Sequence, residues 1–138
     1  MKKCLLGLLV VVLLTAADRI RPADDQAKVQ GTWIIVAMEH GGKKASEDSF
    51  KGQSLIFEGN KVTSKRQQDS KTGTFKLDAT QKPPHFDFTS ENGQDTLKML
   101  YLLDRDTLKL YGDKSEKGDR PKSYETAATI ITLKREQK

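Results

Sequence analysis

The chain has 138 residues, room for one domain, with 24 Lys and Arg against 19 Asp and Glu and a formal charge of +5. Basic and acidic residues interleave from Lys43 to Lys138 without a block of like charge. That is a solvated surface, and it lacks the basic, aromatic-laced stripe of a nucleic-acid binder.

At the N-terminus Lys2 and Lys3 precede an apolar run from Leu5 to Leu14 and the small residues Thr15-Ala16-Ala17. Charge, greasy segment and small residues, in that order, make a secretory signal peptide over residues 1–17. The run is too short for the roughly 20 residues that span a bilayer, so no permanent membrane span is expected. Cleavage after Ala23 would put Arg21 at a small-residue position and is the poorer choice. Cys4 precedes the apolar run, whereas a lipid-modified cysteine should follow it. Cleavage after Ala17 removes 17 of 138 residues and starts the mature chain at Asp18. Losing Lys2 and Lys3 leaves 22 basic residues against 19 acids, a charge near +3. Cys4 is the chain's one cysteine, so the mature protein, secreted or periplasmic, would have no disulfide, no thiol nucleophile and no cysteine-based metal site.

Residues 18–24 read as a flexible leader and 25–136 as the domain. Asp24 or Asp25 can cap one helical turn reaching Gln30. From there short alternating runs dominate. In the first strand Trp33, Ile35 and Ala37 share one face and Ile34 and Val36 the other, with Gly41-Gly42 ending it. Ser46–Lys51 predicts a helical turn with Phe50 tucked inward. Gln53–Glu58 and Lys61–Lys65 flank Gly59-Asn60, a strong signal for a tight hairpin. Thr74–Asp78 follows, then Lys82-Pro83-Pro84 interrupts, because proline cannot donate to a ladder. His85–Thr89, Thr96–Leu103 and Asp106–Tyr111 continue the pattern. Gly112–Lys122 is a polar loop, and Glu125–Arg135 predicts one long final strand.

Eight closely spaced strands without helices long enough for parallel crossovers predict an all-β, antiparallel, up-and-down arrangement. Closure into an eight-stranded barrel with a short N-terminal helical turn would remove the exposed edges, with a sandwich as the alternative.

Gly31-Thr32-Trp33 after a helical turn resembles the Gly-x-Trp motif on the first strand of lipocalins. More specifically, the chain resembles an uncharacterised lipocalin-like domain family abundant in planctomycete bacteria. The matching stretches are Gln30–Trp33, Gly41–Lys43, Gly73–Asp78, Lys82-Pro83 leading to Asp87, Tyr101–Asp104, Asp106–Leu110, Arg120-Pro121 and Leu133–Arg135. Met99-Leu100 stands where that family usually has Gly-Ile, Tyr111 where cysteine is common and Tyr124 where phenylalanine is usual. The resemblance implies a lipocalin-like barrel in which Trp33 crosses the closed end, covered by Arg135 and preceded by Gly31. It implies no activity.

The inward set is Trp33, Ile35, Leu55, Phe57, Val62, Phe75, Leu77, Phe86, Phe88, Met99, Tyr101, Leu108, Leu110, Ile131 and Leu133. An eight-stranded barrel is just wide enough to be filled by side chains or to hold one small ligand. The bulky aromatics and short strands favour a largely filled core with a pocket at the open end, and Phe57, Phe75, Phe88, Met99 and Tyr101 are the candidate lining. His85 and Asp87 alternate onto one face, but two ligands do not make a metal site, and no metal or other cofactor is expected. There is no Gly-x-Ser-x-Gly, phosphate-cradling loop or His-Glu-x-x-His, and Asp78, Asp87, Asp104 and Asp106 fall mostly at strand ends where Asp serves turns. The expectation is an exported, non-enzymatic lipocalin-like barrel that binds a small apolar or amphipathic ligand. The alternatives are a filled structural barrel that meets an unknown protein partner, and a hydrolase with an unrecognised carboxylate site.

Overall fold

The computed structural model describes residues 23–113 and 119–137. The expected signal peptide, leader residues 18–22 and part of the polar loop, 114–118, lie outside the described residues. In chain order the elements are α1 (Ala23–Lys28), β1 (Gly31–His40), β2 (Lys43–Lys44), α2 (Glu47–Phe50), β3 (Gln53–Glu58) and β4 (Lys61–Arg66). They continue with β5 (Asp69–Asp78), β6 (His85–Ser90), β7 (Thr96–Asp104), β8 (Thr107–Gly112) and β9 (Thr129–Arg135). Every ladder is antiparallel, neighbouring strands follow one another in sequence, and β9 returns to pair with β1. This closes the eight-stranded barrel and disposes of the sandwich; β2 only folds back on the end of β1.

Alternation explains the core. Phe57, Val62, Phe75, Phe86, Tyr101, Leu108, Leu110 and Leu133 are all buried from inward positions. The remaining inward residues of the sequence pattern are buried with them or pack against them, joined by Val29 and by Phe50 of α2. Phe57 meets Phe75 edge-on with centroids 4.9 Å apart, and Phe75 stacks on Phe86 at 5.8 Å. This aromatic cluster fills the half of the barrel nearer α1.

Two local features depart from the sequence pattern. The β1–β9 register shifts between Ile35 and Ala37, which leaves Val36 bulged and reverses the alternation beyond it. Ala37 therefore turns to solvent and Met38 packs against the core in its place. The final strand is also shorter than expected, because Ser123 and Thr126 hydrogen-bond each other's hydroxyl and backbone groups and hold the chain in a turn up to Ala128. Residues 119–128 instead cross the outside of β6, β7 and β8. There the Tyr124 ring lies 4.5 Å from that of Tyr111, which is buried with Leu100 on the outer face, and Pro121 is buried in the same segment.

Candidate functional site: two barrel ends and an outer charge cluster

Trp33 is fully buried at the start of β1, and its indole Nε1–H donates to the Val29 carbonyl at 2.7 Å. Arg135 at the end of β9 lies over the indole, its guanidinium carbon 4.4 Å from the ring centroid. The same guanidinium donates through Nη1 to the Gln30 carbonyl (2.8 Å), through Nη2 to the Lys28 carbonyl, and through Nε to Asp106 at 3.2 Å. The last carbonyls of a helix have no partner within it and carry partial negative charge. Arg135 and Trp33 supply that partner for α1. Gly31 has a φ of +117°, which disfavours a side chain, and a Cβ there would sit 3.4 Å from Arg135 Nη1.

Around this centre α1 is tied to the barrel at two further places, the first of them the Gly59 carbonyl, to which Gln26 donates at 2.8 Å. Gln30 both donates to the Gly59 carbonyl (3.0 Å) and accepts from its amide (2.6 Å), which fixes the β3–β4 turn beneath the helix. Tyr101, fully inside the barrel, donates its hydroxyl to Asp25 at 2.7 Å. Burial, then the Asp25 carboxylate, push the Tyr101 phenol far above its ordinary value. This end is closed.

The opposite half is not completely filled. A cavity of about 200 Å³ remains on the inner face, walled by Leu55 and Val62 of β3 and β4, Phe86 and Phe88 of β6, and Leu97 and Met99 of β7. Leu110 and Ile131 complete it from β8 and β9, and Ser64 is its one hydroxyl-bearing neighbour. Leu97 is 45 % exposed at the mouth. Gly73 makes room for this arrangement, since a Cβ there would lie 2.5 Å from Phe88 Cε1 and 2.4 Å from the Thr89 carbonyl oxygen. Of the five candidate lining residues, Phe88 and Met99 face this cavity, while Phe57, Phe75 and Tyr101 are packed in the core below. Leu97 escaped the sequence reading of the site although it shares the alternation of Met99 and Tyr101. His40 sits at the same rim, with Nδ1 2.9 Å from Thr129 Oγ1.

A charge cluster lies on the outer face. Arg120 donates to the Met99 carbonyl at 2.8 Å and brings Nη2 to 2.7 Å from Asp87 Oδ1. That oxygen is buried and accepts no well-aligned hydrogen bond, so the guanidinium neutralises it chiefly as a charge. Pro84 has no amide to offer the Tyr101 carbonyl, and the Tyr124 hydroxyl donates to it at 2.9 Å. His85 is opposite Asp78 in the β5–β6 register. Burial, then Arg120, lower its pKa. Asp78 accepts from Thr80 and Gln81, which lowers its own. With Asp106 engaged by Arg135, three of the acids the sequence offered, Asp78, Asp87 and Asp106, serve a turn or an ion pair. Among the described residues no group of three or more His, Cys, Asp or Glu converges as a metal site. No helix of the described residues is long and apolar enough to cross a membrane.

No protein-family model matches the chain, and no curated protein matches it either. Among solved structures it is similar to that of a DUF4847 family protein from Bacteroides vulgatus ATCC 8482. The two are 15 % identical and superpose with a TM-score of 0.53 over 83 % of this chain and 98 % of the other. At that identity the likeness establishes the fold alone: an antiparallel barrel.

Proposed function

We propose that the chain is an exported, non-enzymatic barrel that takes the apolar part of a small amphipathic molecule into its open half. The observation that carries this is the apolar cavity of about 200 Å³ between Val62, Phe88, Met99 and Ile131. Sites that enclose a whole drug-sized molecule run to roughly 300–1,000 Å³, so this one suits an apolar tail whose polar part stays outside. The lipocalin-like reading of Gly31, Trp33 and Arg135 agrees with a closed end below and a mouth above. Export rests on residues 1–17, and mass spectrometry of the secreted or periplasmic protein should find an N-terminus at Asp18.

Native mass spectrometry of protein purified from its own source tests the binding directly. A co-purifying molecule is expected, and Val62→Phe, which fills the cavity, should release it without loss of thermal stability. Wild-type protein without a bound species, and without affinity for any simple amphiphile, would overturn the proposal. A second reading, a barrel that docks to a protein partner, draws on Ile34 and Val36, 38 % and 43 % exposed on the outer face of β1. It predicts that Val62→Phe leaves function intact while Val36→Lys abolishes it.

A further inference from the structure

The apolar cavity has a neighbour. A second space of about 200 Å³ lies at the open rim beside β7, and Leu97, Met99 and Ile131 line both. Its other walls include Gly112 at the end of β8 and, toward solvent, Lys98 and Asp119. The ladder pattern explains why there is room. The β7–β8 register stops at Leu100 opposite Tyr111, yet β7 runs on to Thr96 against β6 and β8 reaches Gly112 against β9. Above Leu100 each of the two strands keeps its other neighbour and not the one across the gap.

Gly112 keeps that gap clear. It is not among the glycines with positive φ, so the backbone does not demand glycine there. What it supplies is the missing side chain: a Cβ would stand 3.4 Å from the Met99 methyl carbon. Met99, one of the three side chains that line both spaces, is unbranched and adapts readily to different neighbours.

We propose that the two spaces form one binding site for an unbranched alkyl chain, which passes between β7 and β8 beside Met99 with its polar head at Lys98 and Asp119. This rests on the amphiphile-binding reading above and adds the route and the shape of the ligand. Together the two spaces reach the range of a small-molecule site, roughly 300–1,000 Å³, which neither does alone. At about 30 Å³ for a water-sized group, the inner one holds about six such groups.

The n-alkanols from butanol to decanol, titrated into the purified protein by calorimetry, read out the length of the site. Each methylene that finds apolar space raises affinity by about fourfold, and the gain stops when the site is full. For wild type the gain should continue through decanol, because the two spaces of about 200 Å³ each have room for more than about ten such groups. In Gly112→Leu it should stop at about six carbons, where the inner space is full, with butanol and pentanol bound as before. Thr129→Leu narrows the same gap from β9 and serves if Gly112→Leu does not fold. Identical length profiles in wild type and variant, or a wild-type gain that already stops near six carbons, would overturn the route while leaving amphiphile binding in place. If no alkanol binds wild type, the binding proposal itself falls, and the route with it.

Discussion

At the α1 end of the barrel the groups that strand and helix termini would leave unpaired are matched one to another. Three carbonyls after the first turns of α1 are taken by Trp33 and Arg135, and the β3–β4 turn is clasped by Gln30. At the far end the ladders stop at different heights. The β1–β3 pairing ends at Ile34, with α2 and Phe50 beside the part of β1 beyond it, and β7–β8 pairing ends at Leu100 with no helix beside it among the described residues. A closed barrel has no free edges only where its ladders are complete, so the half with finished ladders carries stability and the half with unfinished ones can carry a ligand. Trp33 is fully buried and Leu97 is 45 % exposed, though both stand on inward-facing positions.

The largest expected effect tests that division. Trp33→Ala should cost about 3–5 kcal/mol, through lost transfer energy and the cavity left beneath Arg135. Leu97→Ala at the open rim should cost less than about 1 kcal/mol, because much of that side chain already meets water. Chemical denaturation followed by circular dichroism is the measurement, since Trp33 is the chain's single tryptophan and its fluorescence goes with it. Similar losses at the two positions would erase the distinction between the ends.

The closed half was the more legible in the sequence. Alternation depends on local pattern, and it assigned Phe57, Phe75, Tyr101 and Leu133 to the interior without knowledge of their partners. The bulge at Val36 was not legible, because it arises from how β9 registers on β1 some hundred residues away, and it exchanged Ala37 for Met38. Nor was the start of β5 at Asp69, since its turn uses Gln67 at a φ of 55° and no glycine or proline marks it. The cavity was half legible. The sequence offered five bulky residues as its lining, but which of them fill space and which border it depends on side-chain packing. Phe88 borders it because it lies over Gly73, and nothing in the spacing of Gly73 announces that.

Gly73→Ala sharpens the comparison at the boundary between the halves. The added methyl would collide with the Phe88 ring and with the Thr89 carbonyl oxygen. Overpacking of this kind costs about 1–3 kcal/mol. Adding Phe88→Leu should recover only part of the loss, because the Thr89 oxygen is backbone and cannot step aside. Full recovery would mean that the ring alone sets the requirement for glycine. At the closed end Arg135→Lys keeps the charge but loses the fork and the stacked plane, for an expected cost of about 1 kcal/mol by the same denaturation assay. A neutral result would reduce Arg135 to a point charge at the end of α1.

The smallest effect is spectroscopic and separates the closed end from the outer face of the barrel. The chain has three tyrosines. Tyr101 lies inside against Asp25, and the tilted rings of Tyr111 and Tyr124 meet beneath and within the 119–128 segment. Burial raises the pKa of all three, with the Asp25 carboxylate adding to it at Tyr101. A phenol raised in the fold contributes stability that is complete below its ordinary value near 10 and is lost as pH rises through the folded value. Phenolate absorbance in the near ultraviolet should therefore stay low until well above pH ~10 and then rise together with the loss of β-sheet circular dichroism. Tyr101→Phe should remove one phenolate from the amplitude, with the other two still ionising together with the loss of the sheet signal. One tyrosine ionising reversibly at its ordinary pKa, with the sheet signal intact, would mean that Tyr124 stands in solvent and that the 119–128 segment does not cover β7 and β8.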